Sequence, residues 1–65
     1  MHTNQVKVLM VEDHKLMRVG LRSLFEEFPE IDIVAEAQSG KEAIEKIRET
    51  KPDVVLMDIG LPDIT

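Results

Sequence analysis

The feature that most constrains this chain is a repeated switch in the spacing of its apolar residues. Residues 6–11, VKVLMV, form a short valine-rich apolar run interrupted only by Lys7. Such a run reads as a strand buried on both faces. The period then changes. Met17, Gly20, Leu21, Leu24, Phe25 and Phe28 recur at spacings of three and four, one face of a helix, while Lys15, Arg18, Arg22, Glu26 and Glu27 fall mostly on the other side. Pro29 is the expected stop, because proline cannot donate the next helical bond and disfavours helix in the residue before it.

The period returns to two in IDIVAEA. Ile31, Ile33, Ala35 and Ala37 alternate with Asp32, Val34 and Glu36, the pattern of a half-exposed edge strand. Ser39 followed three residues later by Glu42 is a capping box, in which each side chain accepts from the other's free backbone N–H. The helix it opens carries Ala43, Ile44 and Ile47 on one side and stops before Pro52. DVVLMD is then a third strand. The spacing predicts strands over about 6–11, 31–37 and 53–58 and helices over about 14–28 and 40–50.

Strands joined by helical connections of more than ten residues must run parallel, through right-handed crossovers. The alternating second strand belongs outside and the continuous apolar strands inside, so the expected order is second, first, third. The expected fold is α/β, βαβαβ with a parallel sheet.

Composition narrows the function. At 65 residues the chain is at most one domain, of a size at which folding alone is marginal. It has no cysteine, hence no disulfide and no thiolate metal site, and no apolar stretch approaches the roughly 20 residues that span a bilayer. No membrane association is expected. The N-terminus lacks the basic, apolar and small-residue regions of a signal peptide. A net charge of −5 argues against direct nucleic-acid binding by this segment, which would need Lys and Arg to neutralise phosphates.

The acids that matter sit at strand ends. The first strand runs into Glu12 and Asp13, and the third ends on Asp58. With these strands adjacent, the three carboxylates meet beyond the carboxyl end of the sheet, where open α/β folds bind ligands. They repel one another unless protons or a cation join them, and hard oxygen ligands suit Mg²⁺. Either acid alone has a structural explanation, Asp13 as a helix cap and Asp58 as a turn residue. The pairing of the two favours a functional cluster.

Other motifs carry less. Ser39-Gly40-Lys41 lacks the surroundings of a phosphate-binding loop, with Ala35 and Glu42 at positions that require Gly and Ser or Thr. His14 is read as a first-turn helix residue, since neighbours in sequence converge poorly on a metal. Met10, Met17 and Met57 read as core. No Cys and no Ser–His pair supports nucleophilic hydrolysis.

Residues 8–63, with the Glu12-Asp13 pair, the Ser39-Gly40 helix opening and PDVVLMDIGLP at matching spacing, resemble the receiver domain of two-component response regulators. The branch is the one that usually carries a helix-turn-helix output domain. The resemblance implies a flavodoxin-like fold, a cytoplasmic location, and a phosphoacceptor signalling domain rather than an enzyme. It implies that Asp58 accepts a phosphoryl group from a sensor histidine kinase. Glu12, Asp13, Asp58 and the backbone carbonyl of Gly60 would hold Mg²⁺, and Pro62 would shape the loop that follows.

A receiver of this family has five strands and five helices in roughly 120 residues, within the usual domain range. Residues 1–65 correspond to its amino-terminal half and end before the Ser or Thr of the fourth strand and the Lys of the fifth. This stretch alone is therefore expected to bind Mg²⁺ weakly and to be phosphorylated slowly. The alternative is a truncated or engineered fragment that self-associates without phosphotransfer. A homodimer or higher oligomer is expected, joined through third-strand edges or through the first-helix face around Leu21, Leu24, Phe25 and Phe28. A Mg²⁺-dependent phosphatase is the weakest reading, because no basic group accompanies the acids.

Overall fold

The structure, a computed structural model, describes residues 4–57. The elements follow as β1 (Val6–Val11), α1 (Lys15–Phe25), β2 (Ile31–Ala37), α2 (Gly40–Thr50) and β3 (Val54–Met57). The strands form one sheet in the order β2-β1-β3, and both pairings are parallel. The expected architecture and strand order are those observed.

β1 is the centre of the molecule. Val8, Leu9, Met10 and Val11 are all buried, as a strand covered on both faces requires. Leu9 and Val11 join Ala37 and Ala43 in the core cluster, with Ala35 and Val55 packed against it. That cluster lies on the α2 face. Full burial of a side chain such as Leu9 or Met10 contributes roughly 1.5–3 kcal/mol. Among the described residues, the ladder to β3 runs from Val8 beside Val54 to Val11 beside Met57.

β2 departs from its expected alternation. Val8 pairs with Ile33, but Leu9 pairs with Ala35, so Val34 is an extra residue, a β-bulge. Ile31 and Ile33 stand beside Val6 and Val8, whereas Ala35 and Ala37 stand beside Leu9 and Val11. Successive residues of β1 alternate faces, so the bulge divides the four apolar residues between the two faces. Only Ala37 of this strand is fully buried.

α1 is shorter than the periodicity suggests. It starts after His14, the N-cap, so neither Asp13 caps it nor His14 lies in its first turn. It ends at Phe25, before Pro29. Glu27 N–H donates to Leu24 O at 3.2 Å and Phe28 N–H to Phe25 O at 3.0 Å, tighter bonds that wind the chain out of the helix. No α1 residue is fully buried, and Met17 and Leu24 are exposed. Arg18 and Arg22, read as outward-facing, turn partly inward toward β2.

α2 has the expected bounds. Ser39 Oγ accepts from Glu42 N–H at 3.1 Å, the Ser39 half of the capping box. Of the three residues expected on its inner side only Ala43 is buried, and Ile44 and Ile47 are exposed. The small alanine sets the helix close on the sheet. Among the described residues no further helix covers that face, so the isoleucines beside it stay bare. At the other end Lys51 takes a left-handed conformation, φ 48°, and its N–H donates to Ile47 O at 2.9 Å.

Candidate functional site

The carboxyl end of β1 carries Glu12, Asp13 and His14 in consecutive positions. Glu12 extends the sheet by one bond, its N–H donating to Ala37 O at 3.0 Å. That bond carries the Glu12 backbone beyond the last β1 residue while its side chain stays only 9% exposed. Asp13 is more open, its side chain 33% exposed.

The three residues converge, contrary to the expectation for sequence neighbours. His14 Nδ1 lies 2.9 Å from Glu12 Oε2 and 3.1 Å from Asp13 Oδ1. His14 N–H also donates to Glu12 Oε2 at 3.1 Å. One ligand atom from each residue falls within 4.8 Å of the others. The extended backbone at His14, φ −87° and ψ 112°, turns its ring back over the acids before the helix begins.

Glu12 is held ionised. The His14 backbone N–H pulls its carboxyl below the ordinary value, and the His14 ring adds to the effect, while burial pushes the other way. A charged, largely buried carboxylate beside a second, more open one fits a hard divalent cation that keeps several waters. Asp58, Gly60 and Pro62 lie outside the described residues. The last described pair of the ladder is Val11 with Met57, the residue before Asp58 in sequence.

An open cavity of about 270 Å³ lies on the α1 side of this strand end, lined by Met10, Val11, Glu12, Leu21, Leu56 and Met57. Among the described residues, Glu12 is its one acidic lining residue, and the other lining residues are apolar.

Sequence reasoning missed Arg18. Its Nη1–H donates to Glu12 O at 2.9 Å, and its Nε lies 3.5 Å from Glu36 Oε1. Arg22 Nε–H donates to the other Glu36 oxygen. The Arg18 side chain is only 13% exposed. The available signal was the pairing of arginines one turn apart on α1 with an acid near the end of the following strand, legible only once the bulge has set which face Glu36 takes.

Among the described residues, no helix is long and apolar enough to cross a membrane. The chain is 48% identical over 59 residues to the response regulator protein VraR of Staphylococcus saprophyticus, covering 91% of this chain and 28% of that protein. It superposes on a two-component response regulator of the LuxR family from Aurantimonas with a TM-score of 0.85 and 42% identity, over 91% of this chain and 42% of that one. It also superposes on a solved complex of the P1 domain of CheA3 with CheY6 from R. sphaeroides, with a TM-score of 0.79 and 32% identity, over 94% of this chain and 47% of that one. The chain thus spans under a third of the length of the curated relative. The response regulator receiver domain model matches residues 8–65. Carried by that match across most of its length, the chain belongs to the response regulator receiver domain family, the signalling domain of two-component regulators.

Proposed function

We propose that Asp58 is the phosphoacceptor of this receiver, charged in the cytoplasm by a sensor histidine kinase, with Glu12, Asp13, Asp58 and the Gly60 carbonyl as the Mg²⁺ ligands. The observation that carries the reading is the strand-end pairing. Val11 and Met57 are partners, and the chain continues from them into Glu12 and into Asp58. The solved complex of CheA3 and CheY6 supports a kinase as the partner class.

In this reading an Asp58 carboxylate oxygen attacks phosphorus, the bond from phosphorus to the kinase histidine breaks, and the imidazole leaves. Glu12, whose carboxyl the His14 contacts hold below its ordinary value, and the more open Asp13 would hold the cation. Bound Mg²⁺ supplies neutralisation of the charge on the transferred oxygens. The phosphorylated receiver then acts on an output domain, in this branch one that regulates transcription.

Intact-mass spectrometry after incubation with a small phosphodonor and Mg²⁺ tests this. One phosphoryl addition, lost in Asp58→Asn, is expected. Labelling that survives Asp58→Asn would reject the assignment.

A second reading is self-association as a homodimer or higher oligomer. It is favoured by exposed Leu16, Met17, Val19 and Leu24 on α1 and by the position of β3 at the sheet edge among the described strands. Light scattering after size exclusion decides it. A compact monomer at high micromolar concentration excludes it.

A further inference from the structure

We infer that Arg18 is a positioning residue for the divalent-cation site, holding the peptide unit between the two acidic ligands, and that Glu36 holds Arg18. The inference rests on the proposed cation-binding role of Glu12 and Asp13.

The Glu12 carbonyl and the Asp13 N–H belong to one rigid peptide plane. Arg18 Nη1–H donates to that carbonyl at 2.9 Å. On the other side of the residue, Glu12 N–H is tied to Ala37 O. With both ends anchored, the directions of the Glu12 and Asp13 side chains are set relative to each other. Without the arginine, the plane rotates about its two flanking bonds and the carboxylates no longer share a focus.

The guanidinium suits this work. It is planar and always charged, and it presents several donors in a fixed fork. One arm takes the carbonyl and the Nε side faces Glu36 at 3.5 Å. Arg22 grips the same carboxylate from one turn further along α1. Arg18 N–H donates to His14 O at 3.0 Å, which ties its backbone to the residue that folds over the acids. The network therefore joins α1, β2 and the β1 end at one point. None of its three side chains is a candidate ligand.

Groups that orient ligands commonly set metal affinity by about 10–100-fold. The test titrates Mg²⁺ alone into this chain and into Arg18→Met, Glu36→Gln and the double variant, following the amide shifts of Glu12 and Asp13. The amide signals of Leu9 and Met10 report an intact β1. Arg18→Met keeps the apolar stem and removes the donors, and it is expected to weaken binding about 10–100-fold with β1 signals unchanged. Glu36→Gln is expected to give a smaller loss. The double variant should be no worse than Arg18→Met, because both act through one network, whereas two separate packing defects would add. Unchanged affinity in a folded Arg18→Met chain overturns the inference and leaves the proposed function standing. If Arg18→Met does not fold, Arg18→Lys decides: it keeps the charge but not the fork, so a several-fold loss supports the inference and wild-type affinity overturns it. Absence of any Mg²⁺ shift at Glu12 and Asp13 in the wild-type chain rejects the cation role itself, and the inference with it.

Discussion

Lys7 and Asp53 exchange two hydrogen bonds across the start of the β1–β3 ladder. Asp53 N–H donates to Lys7 O at 2.8 Å, and Lys7 N–H donates to Asp53 Oδ2 at 2.9 Å. The aspartate side chain thus supplies an acceptor one residue before the strand proper begins. The pair fixes the register in which Val8 meets Val54 and Val11 meets Met57. Asp53→Ala removes the acceptor and leaves an exposed backbone donor, a loss of about 1 kcal/mol. Urea unfolding of the two chains measures it. Equal midpoints would mean that the ladder alone sets the register.

Ser39→Ala removes the acceptor that satisfies the Glu42 N–H at the start of α2. The expected loss is about 1 kcal/mol, the usual cost of an N-cap. Ser39→Asp should retain most of the stability, since a carboxylate caps equally well and favours the helix N-terminus. Thermal unfolding followed by circular dichroism checks both, and a Ser39→Asp chain as weak as Ser39→Ala would contradict the capping account.

Gly20 sits in the middle of α1, and a Cβ built there meets nothing within 4 Å among the described residues. Its backbone is not in the left-handed region. Gly20→Ala is therefore expected to stabilise the chain by about 1 kcal/mol, through the lower backbone entropy of alanine in the unfolded state. A destabilised variant would show that another surface closes on Gly20 in solution.

Acid should weaken the fold partly through Glu12. Its carboxyl titrates below the ordinary value in the folded chain, led by the His14 backbone N–H. A depressed value means that the unfolded state takes up the proton first. The contribution is complete above the unfolded value and is lost as pH falls through the folded one. Unfolding measured from neutral pH downward should show a steeper loss for the wild type than for Glu12→Gln. Parallel curves would show that the His14 contacts do not persist in solution.

What could be read from the sequence was what local spacing controls. The buried central strand, Val6–Val11, announces itself by an apolar run that needs no partner to recognise. The start of α2 follows from Ser39 and Glu42, three residues apart. Strand order follows because connections of this length force parallel pairing, and the mixed strand must take the edge. The tertiary structure alone decided the rest. The bulge at Val34 depends on how β2 meets β1, and neither strand's own period contains it. It sets which face Glu36 occupies, and that determines whether Arg18 and Arg22 turn toward solvent or toward the sheet. The exposure of Ile44 and Ile47 depends on which elements lie over α2, not on its amphipathic stripe. The convergence of His14 with Glu12 and Asp13 depends on two backbone angles at a helix start. Periodicity reports the face a residue shares with its neighbours in sequence. Register between segments, and the contacts that follow from it, comes from packing among residues far apart in the chain.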